Sequence, residues 1–206
     1  MWRIISVLIA MPTLASALKC PAFASIAQPS VAEGAFSASE LIGEWFLIAT
    51  NEPTMPPFCR CGMNRFTEIG EPAGTYAYSN TDNCSGVNIS IPIKGVLSTD
   101  PRTPGLLHEN FAPFNSTHTL PLLPNMIFDV QRAGTLEVVF AYACLGWFPI
   151  KGSLFSFNIM ARRQNWTRAE IDALVDHANK TTHPLLKLSG LRYNDGNAYR
   201  ECGMFV

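Results

Sequence analysis

The stretch SLFSFNIMARRQNWTRAEIDALVDHA, Ser153 to Ala178, passes from one kind of periodicity to another, and the fold turns on that change. From Ser153 to Met160 apolar side chains occupy both alternating faces, as a strand covered on both sides requires. Arg162 opens a short polar turn through Gln164 and Asn165. Thr167-Arg168-Ala169-Glu170 then forms a capping box, in which hydroxyl and carboxylate each satisfy an otherwise unpaired backbone N–H. Trp166 and Ile171 stand at the positions of a hydrophobic staple. Ile171, Leu174, Val175 and Ala178 recur at i, i+3, i+4 and i+7, which predicts a helix over 167–179 with one apolar face. Pro184 lies beyond it as a stop signal. A lone helix of this kind must dock on the outside of the β structure. One face of the strand before it then lines an interior, and the other carries the helix.

Upstream, from Gly43 to Arg162, the pattern has mostly period two. Val87, Ile89, Ile91 and Ile93 alternate with Asn88, Ser90, Pro92 and Lys94, a half-buried strand. Thr75–Tyr78, Met126–Val130 and Leu136–Cys144 read as further strands. Turn clusters separate them at Gly70-Glu71-Pro72, Asp82-Asn83, Thr99-Asp100-Pro101, Thr103-Pro104-Gly105 and Ala133-Gly134. Many short strands at near-regular spacing indicate an all-β sandwich or barrel. Leu185 to Arg192 reads as a last strand before a cysteine-bearing tail.

Composition narrows the function classes. Of 206 residues 15% are charged, below the roughly 25% of an ordinary soluble domain. The net charge is -1 with no basic cluster, which excludes a nucleic-acid partner. No internal apolar run approaches the roughly 20 residues of a bilayer span, so stable membrane insertion is not expected. Met1-Trp2-Arg3, the apolar Ile4–Ala10 and Ala15-Ser16-Ala17 fit a cleavable secretory signal over 1–17. Six scattered cysteines (Cys20, Cys59, Cys61, Cys84, Cys144, Cys202) suit a disulfide framework in a secreted, extracellular protein. Five Asn-x-Ser/Thr sequons agree with this. Asn88, Asn115 and Asn179 are the expected glycosylation sites; Asn83 and Asn165 have Cys and Trp in the middle position, poor contexts.

No catalytic motif is present: neither Gly-x-Ser-x-Gly, nor His-Glu-x-x-His, nor a phosphate-cradling glycine loop. His108, His118, His177 and His183 are far apart, and neither a metal nor another cofactor is implied. Cys59-Arg60-Cys61 is the sharpest chemical alternative, as a reactive dithiol.

Three anchors stand in order: Lys19-Cys20-Pro21 with Gly43-Glu44-Trp45, the Val138–Cys144 strand ending in Tyr-x-Cys, and Phe157–Trp166 running into the capped helix. Together they resemble the lipocalins, most closely the apolipoprotein D and insect bilin-binding branch. The first is like the family's Cys-Pro segment and Gly-x-Trp motif, the second like its Tyr-x-Cys strand, and the third like the approach to its single helix. The family's Thr-Asp-Tyr motif is absent near Ala133-Gly134-Thr135, so no receptor or protein partner is inferred. The resemblance implies an eight-stranded antiparallel up-and-down barrel with one α-helix packed outside. Residues 18–206 form one domain: leader 18–40, barrel 41–162, helix 167–179, last strand and tail 184–206. It further implies a carrier of a small hydrophobic ligand, of the fatty acid, sterol, retinoid, bilin or carotenoid class. A lipocalin-fold enzyme, an isomerase or epoxide-processing activity, is the alternative.

In such a barrel Gly43, Trp45 and Arg162 close one end, with the guanidinium over the indole. Alternation then selects the wall. A glycosylated Asn88 faces outward, which turns Ile89, Ile91 and Ile93 inward. Ser156 and Asn158 share the parity of Arg162, and Leu47 and Ala49 follow Trp45. Phe66 and Phe128 are also assigned to the ligand-binding wall. The family resemblance implies Cys20–Cys144 and a bond from the Cys202 tail to the start of the second strand, given to Cys61. Cys59 is then left with Cys84, a pair without a family counterpart, and Cys59 and Cys61 remain exchangeable.

Overall fold

The computed structural model describes residues 20–32, 35–52, 55–68, 75–97, 102–111, 123–145, 154–181 and 188–204. The expected signal segment 1–17 and the sequon at Asn115 lie outside them. A short helix α1 (Phe23–Ile26) and a 3-10 turn (Ala38–Leu41) lead into eight strands. These are β1 (Gly43–Thr50), β2 (Cys59–Glu68), β3 (Thr75–Cys84), β4 (Val87–Leu97), β5 (Leu106–Phe111), β6 (Leu123–Ala133), β7 (Thr135–Leu145) and β8 (Leu154–Ala161). Helix α2 (Arg168–Thr181), strand β9 (Arg192–Tyr193) and helix α3 (Gly196–Glu201) complete the chain.

Each strand pairs antiparallel with the next, and β1 pairs with both β2 and β8, so the sheet curls into the expected eight-stranded barrel. Two details differ from the sequence reading. Among the described residues the last strand is Arg192–Tyr193, paired with Ala49 and Thr50 of β1; of the expected strand 185–192, Leu188 to Leu191 are not strand and 185–187 lie outside the described residues. Helix α3 was not expected. It starts at Asp195, whose carboxylate accepts from the amides of Asn197 and Ala198 at 3.0 and 2.9 Å. A six-residue helix is too short to show a periodicity in sequence.

The α2 cap forms as its sequence dictates. The Thr167 amide donates to Glu170 Oε2 at 2.7 Å, and the Glu170 amide to Thr167 Oγ1 at 3.3 Å. These bonds, the Thr167 amide first and Arg163 next, pull the Glu170 carboxyl down to about 2. Ile171, Leu174, Val175 and Ala178 are buried. His177 fixes which sheet face they cover: its ring lies 5.6 Å from Phe140, and its Nε2 is 2.7 Å from Asp129 Oδ2. Phe140 and Asp129 are cross-strand partners, so this is the outer face.

Two disulfides, Cys20–Cys144 and Cys61–Cys202, tie the ends to the barrel, and a third, Cys59–Cys84, links two of its strands. They are the pairs implied above. Cys59 and Cys84 face each other across the β2–β3 ladder. Cys61 sits at a bulge with φ +58°, and it bonds to the residue that ends α3.

Candidate functional site

Directly opposed residues in a sheet share a face, so the register sorts the barrel into inside and outside. Phe140 pairs with Ile159 on the helix side, which places their neighbours Val139 and Met160 inside. Met160 pairs with Leu47. Its sulfur accepts from Asn64 Nδ2 at 3.1 Å, and Asn64 pairs with Trp45 and with Asn80. The inner face therefore runs through Trp45, Leu47, Asn64, Phe66, Tyr78 and Met160, with Asn158 and Ser156 two and four residues before Met160.

One end of this interior is sealed. The Arg162 guanidinium lies 3.9 Å from the centroid of the Trp45 ring and donates to three carbonyls, those of Glu40, Ile42 and Glu44, at 2.6, 2.9 and 3.1 Å. Burial lowers its pKa. Trp45 Nε1 donates to the Leu41 carbonyl at 2.7 Å. Gly43 is required beneath this arrangement: its φ is +107°, and a Cβ there would lie 2.8 Å from Arg162 Nη1. Glu40, ion-paired with Arg132, has its carboxyl held below the usual range chiefly by that bond.

The structure places the expected wall residues unevenly. Leu47, Phe66, Ser156 and Asn158 are on the inner face, and Phe66 stacks on Tyr78 with centroids 4.6 Å apart. Ile93 pairs with Tyr78, Ile91 with Asn80 and Ile89 with Asp82, all on inner-face positions of β3. Ile89 lies at the end away from Trp45 and is 47% exposed, together with Val87 and Phe58. Asn88, on the other parity of that strand, is exposed.

Two assignments are corrected. Ala49 is not a wall residue: the register slips between Leu47 and Ala49, so Ala49 pairs with Ile159 on the outer face and Thr50 takes the inner position beside Asn158. Phe128 is not one either. A second bulge lies between Ile127 and Asp129, and the Phe128 ring sits 6.2 and 6.1 Å from Phe140 and Phe157, in the layer beneath α2.

Beside Ser156 and Asn158, the interior holds polar groups that alternation did not reveal: Thr50, Asn64, Asn80 and Asp82. Thr50 Oγ1 donates to Asn158 Oδ1 at 2.6 Å, and Asn158 Nδ2 to Ser156 Oγ at 3.4 Å. Asn80 Nδ2 donates to Asn64 Oδ1 at 2.9 Å. Asp82, 9% exposed, faces inward over Gly62 beside Leu47. Burial, opposed by Arg192 and aided by Glu52, pushes its carboxyl up to about 6. Strand β3 reads TYAYSNTDNC, with polar residues on both parities, so period two leaves no trace in it.

Chemically the inner face is an apolar lining carrying a few hydrogen-bonded polar groups. Cys59 and Cys61 are bonded to different partners, so they do not form a dithiol. Among the described residues, no three His, Cys, Asp or Glu side chains gather as metal ligands, and no helix is long and apolar enough to cross a membrane.

A scan against family models finds no match, and a search of curated proteins finds no relative. Solved structures share the fold. Insecticyanin from the tobacco hornworm Manduca sexta superposes with a TM-score of 0.60 at 16% identity, over 82% of this chain and 85% of that one. Lobster apocrustacyanin A1 gives 0.55 at 12% identity, over 86% and 93%. Odorant binding protein OBP1 gives 0.51 at 10% identity, over 77% and 92%. The architecture is thus the lipocalin fold.

Proposed function

We propose that the protein is a secreted carrier that holds one small, largely apolar molecule inside the barrel. The observation that carries this reading is the inner face itself. A ring of eight paired strands, closed at one end by Trp45 and Arg162, presents Leu47, Phe66, Tyr78 and Met160 together with a few fixed polar groups. An eight-stranded barrel has room for side chains or one small ligand. An apolar lining with a small number of oriented polar groups is the usual make-up of such a site. The fold shared with an odorant binding protein supports the same class of ligand. Three disulfides agree with an oxidising, extracellular setting. Asn88 and Asn179, both exposed, are proposed to carry glycans there.

Uptake of retinol, read by its fluorescence, tests the reading on the purified protein. About one equivalent per chain is expected, the capacity of a barrel this size. Ile91 pairs with Asn80 on the inner face, so Ile91→Lys should abolish uptake while the far-ultraviolet spectrum stays that of a β protein. Undiminished uptake by that variant would move the site off the barrel interior.

A further inference from the structure

One row of hydrogen bonds inside the barrel has a direction. Asn80 Nδ2 donates to Asn64 Oδ1 at 2.9 Å, and Asn64 Nδ2 donates to the Met160 sulfur at 3.1 Å. Asn64 is the ladder partner of Trp45, and Met160 that of Leu47, so the row runs from β3 over β1 to β8 on the inner face. Among the described residues neither asparagine side chain makes a further hydrogen bond. Met160 is buried, whereas Asn64 and Asn80 are half-buried at inner-face positions, so the open end of the row is reached from the interior.

The sulfur sets the direction. A thioether has lone pairs and no proton, so it only accepts. Asn64 must therefore turn its NH2 group to Met160 and its carbonyl to Asn80, and Asn80 must answer with its own NH2 group. The Asn80 carbonyl oxygen is left at the end of the row, an acceptor without a donor. The other inner row, Thr50 to Asn158 to Ser156, ends in a hydroxyl, which turns to donate or accept and so selects nothing. Water meets a free carbonyl, but an apolar ligand that displaces the water must bring a donor or leave the carbonyl unpaired. A hydroxyl is such a donor. Ethers, esters, aldehydes and carboxylates bring acceptors only, and set oxygen against oxygen. An ammonium donates too, but the row is neutral and offers no counter-charge, and a buried charge without one is far costlier than a hydroxyl.

We propose that the ligand of this barrel is an apolar alcohol whose hydroxyl donates to Asn80 Oδ1, in a direction set by the Met160 sulfur. This rests on the carrier reading and narrows it. Among the classes considered for the barrel it favours sterol and retinoid alcohols over free fatty acids.

Displacement of the fluorescent hydrocarbon diphenylhexatriene tests it, with dodecanol and undecyl methyl ether as competitors. The two are isomers, and only the alcohol has a proton to donate. The readout is the alcohol-to-ether affinity ratio in the native protein, in Asn80→Leu and in Met160→Leu. In Asn80→Leu the ratio should fall about 3- to 10-fold, the range one neutral hydrogen bond supplies, because the alcohol loses its acceptor. Met160→Leu nearly conserves volume, and the ratio should fall by a similar factor for the opposite cause. Asn64 is then free to turn, Asn80 can present its NH2 group, and the ether gains affinity while the alcohol keeps its own. Where Asn80→Leu does not fold, Met160→Leu decides alone. An unchanged ratio in either folded variant overturns the proposal, as does a fall in Met160→Leu that comes from weaker binding of the alcohol. Reporter uptake with one ratio in all three proteins overturns it and leaves the carrier reading standing. No uptake of the reporter, either competitor or retinol by the native protein overturns both.

Discussion

Asp82 is the residue whose energetics are most exposed to measurement. Its carboxyl is raised from 3.8 to about 6, chiefly by burial. The folded protein therefore binds more protons than the unfolded chain between those two values, and stability falls as the pH rises through that window. Above it, the ionised side chain costs the ligand-free protein roughly 2–3 kcal/mol. Asp82→Asn removes the ionisation. Thermal unfolding should show the variant more stable than the native protein at pH 7.5, with the gap shrinking toward pH 4. A gap that does not change with pH would mean that Asp82 is solvated in the folded protein.

Among the elements, the 3-10 turn, β1 and β8 are bound together by one side chain. Arg162, just past β8, bonds to the carbonyls of Glu40, Ile42 and Glu44 and covers the Trp45 ring. Arg162→Ala should cost about 2–3 kcal/mol, through the lost cation–π contact and three carbonyls left without their charged donor. Chemical denaturation measures this. A loss under about 0.5 kcal/mol, the scale of an ordinary surface substitution, would show the floor to be held by Trp45 alone. The opposite end of β1 is held differently. Its pairing with β2 covers only Gly43 to Phe46. Beyond that, Tyr199 of α3 donates to the Gly62 and Leu47 carbonyls at 2.7 and 3.2 Å, and Asn194 Nδ2 to the Leu47 carbonyl at 2.8 Å. The tail thus fills the gap where two strands diverge.

For the whole molecule, that tail is part of the barrel and not an appendage, and the Cys61–Cys202 bond joins it across 141 residues. In the chain-entropy model a closure of that length contributes up to about 5 kcal/mol, with measured values often lower. Replacing both cysteines by serine should lower the melting temperature substantially. It should also increase amide exchange at Tyr199 and Gly62 before the rest of the barrel opens. Uniform exchange across all strands would instead mean that tail and barrel unfold as one unit.

The lipocalin pattern was legible because its carriers are local. A capping box, an apolar stripe at helical spacing and a doubly apolar strand each depend on residues a few positions apart, and all three lie between Ser153 and Ala178. The inner-face parities of Leu47, Phe66, Ser156 and Asn158 follow from the same local alternation. What escaped depends on partners distant in sequence. The slip at Ile48 moves Ala49 outward where β1 meets β9, and the Leu47 and Ile48 carbonyls are taken by Asn194, 147 residues from Leu47. The bulge at Phe128 turns its ring toward the helix-covered face. Period two counts residues along one strand, and a bulge adds one residue without marking it in that strand's own hydropathy. Asp82 is the clearest case: polar on a strand polar on both faces, it acquires its character only when Gly62 and Leu47 close over it, bringing three strands together.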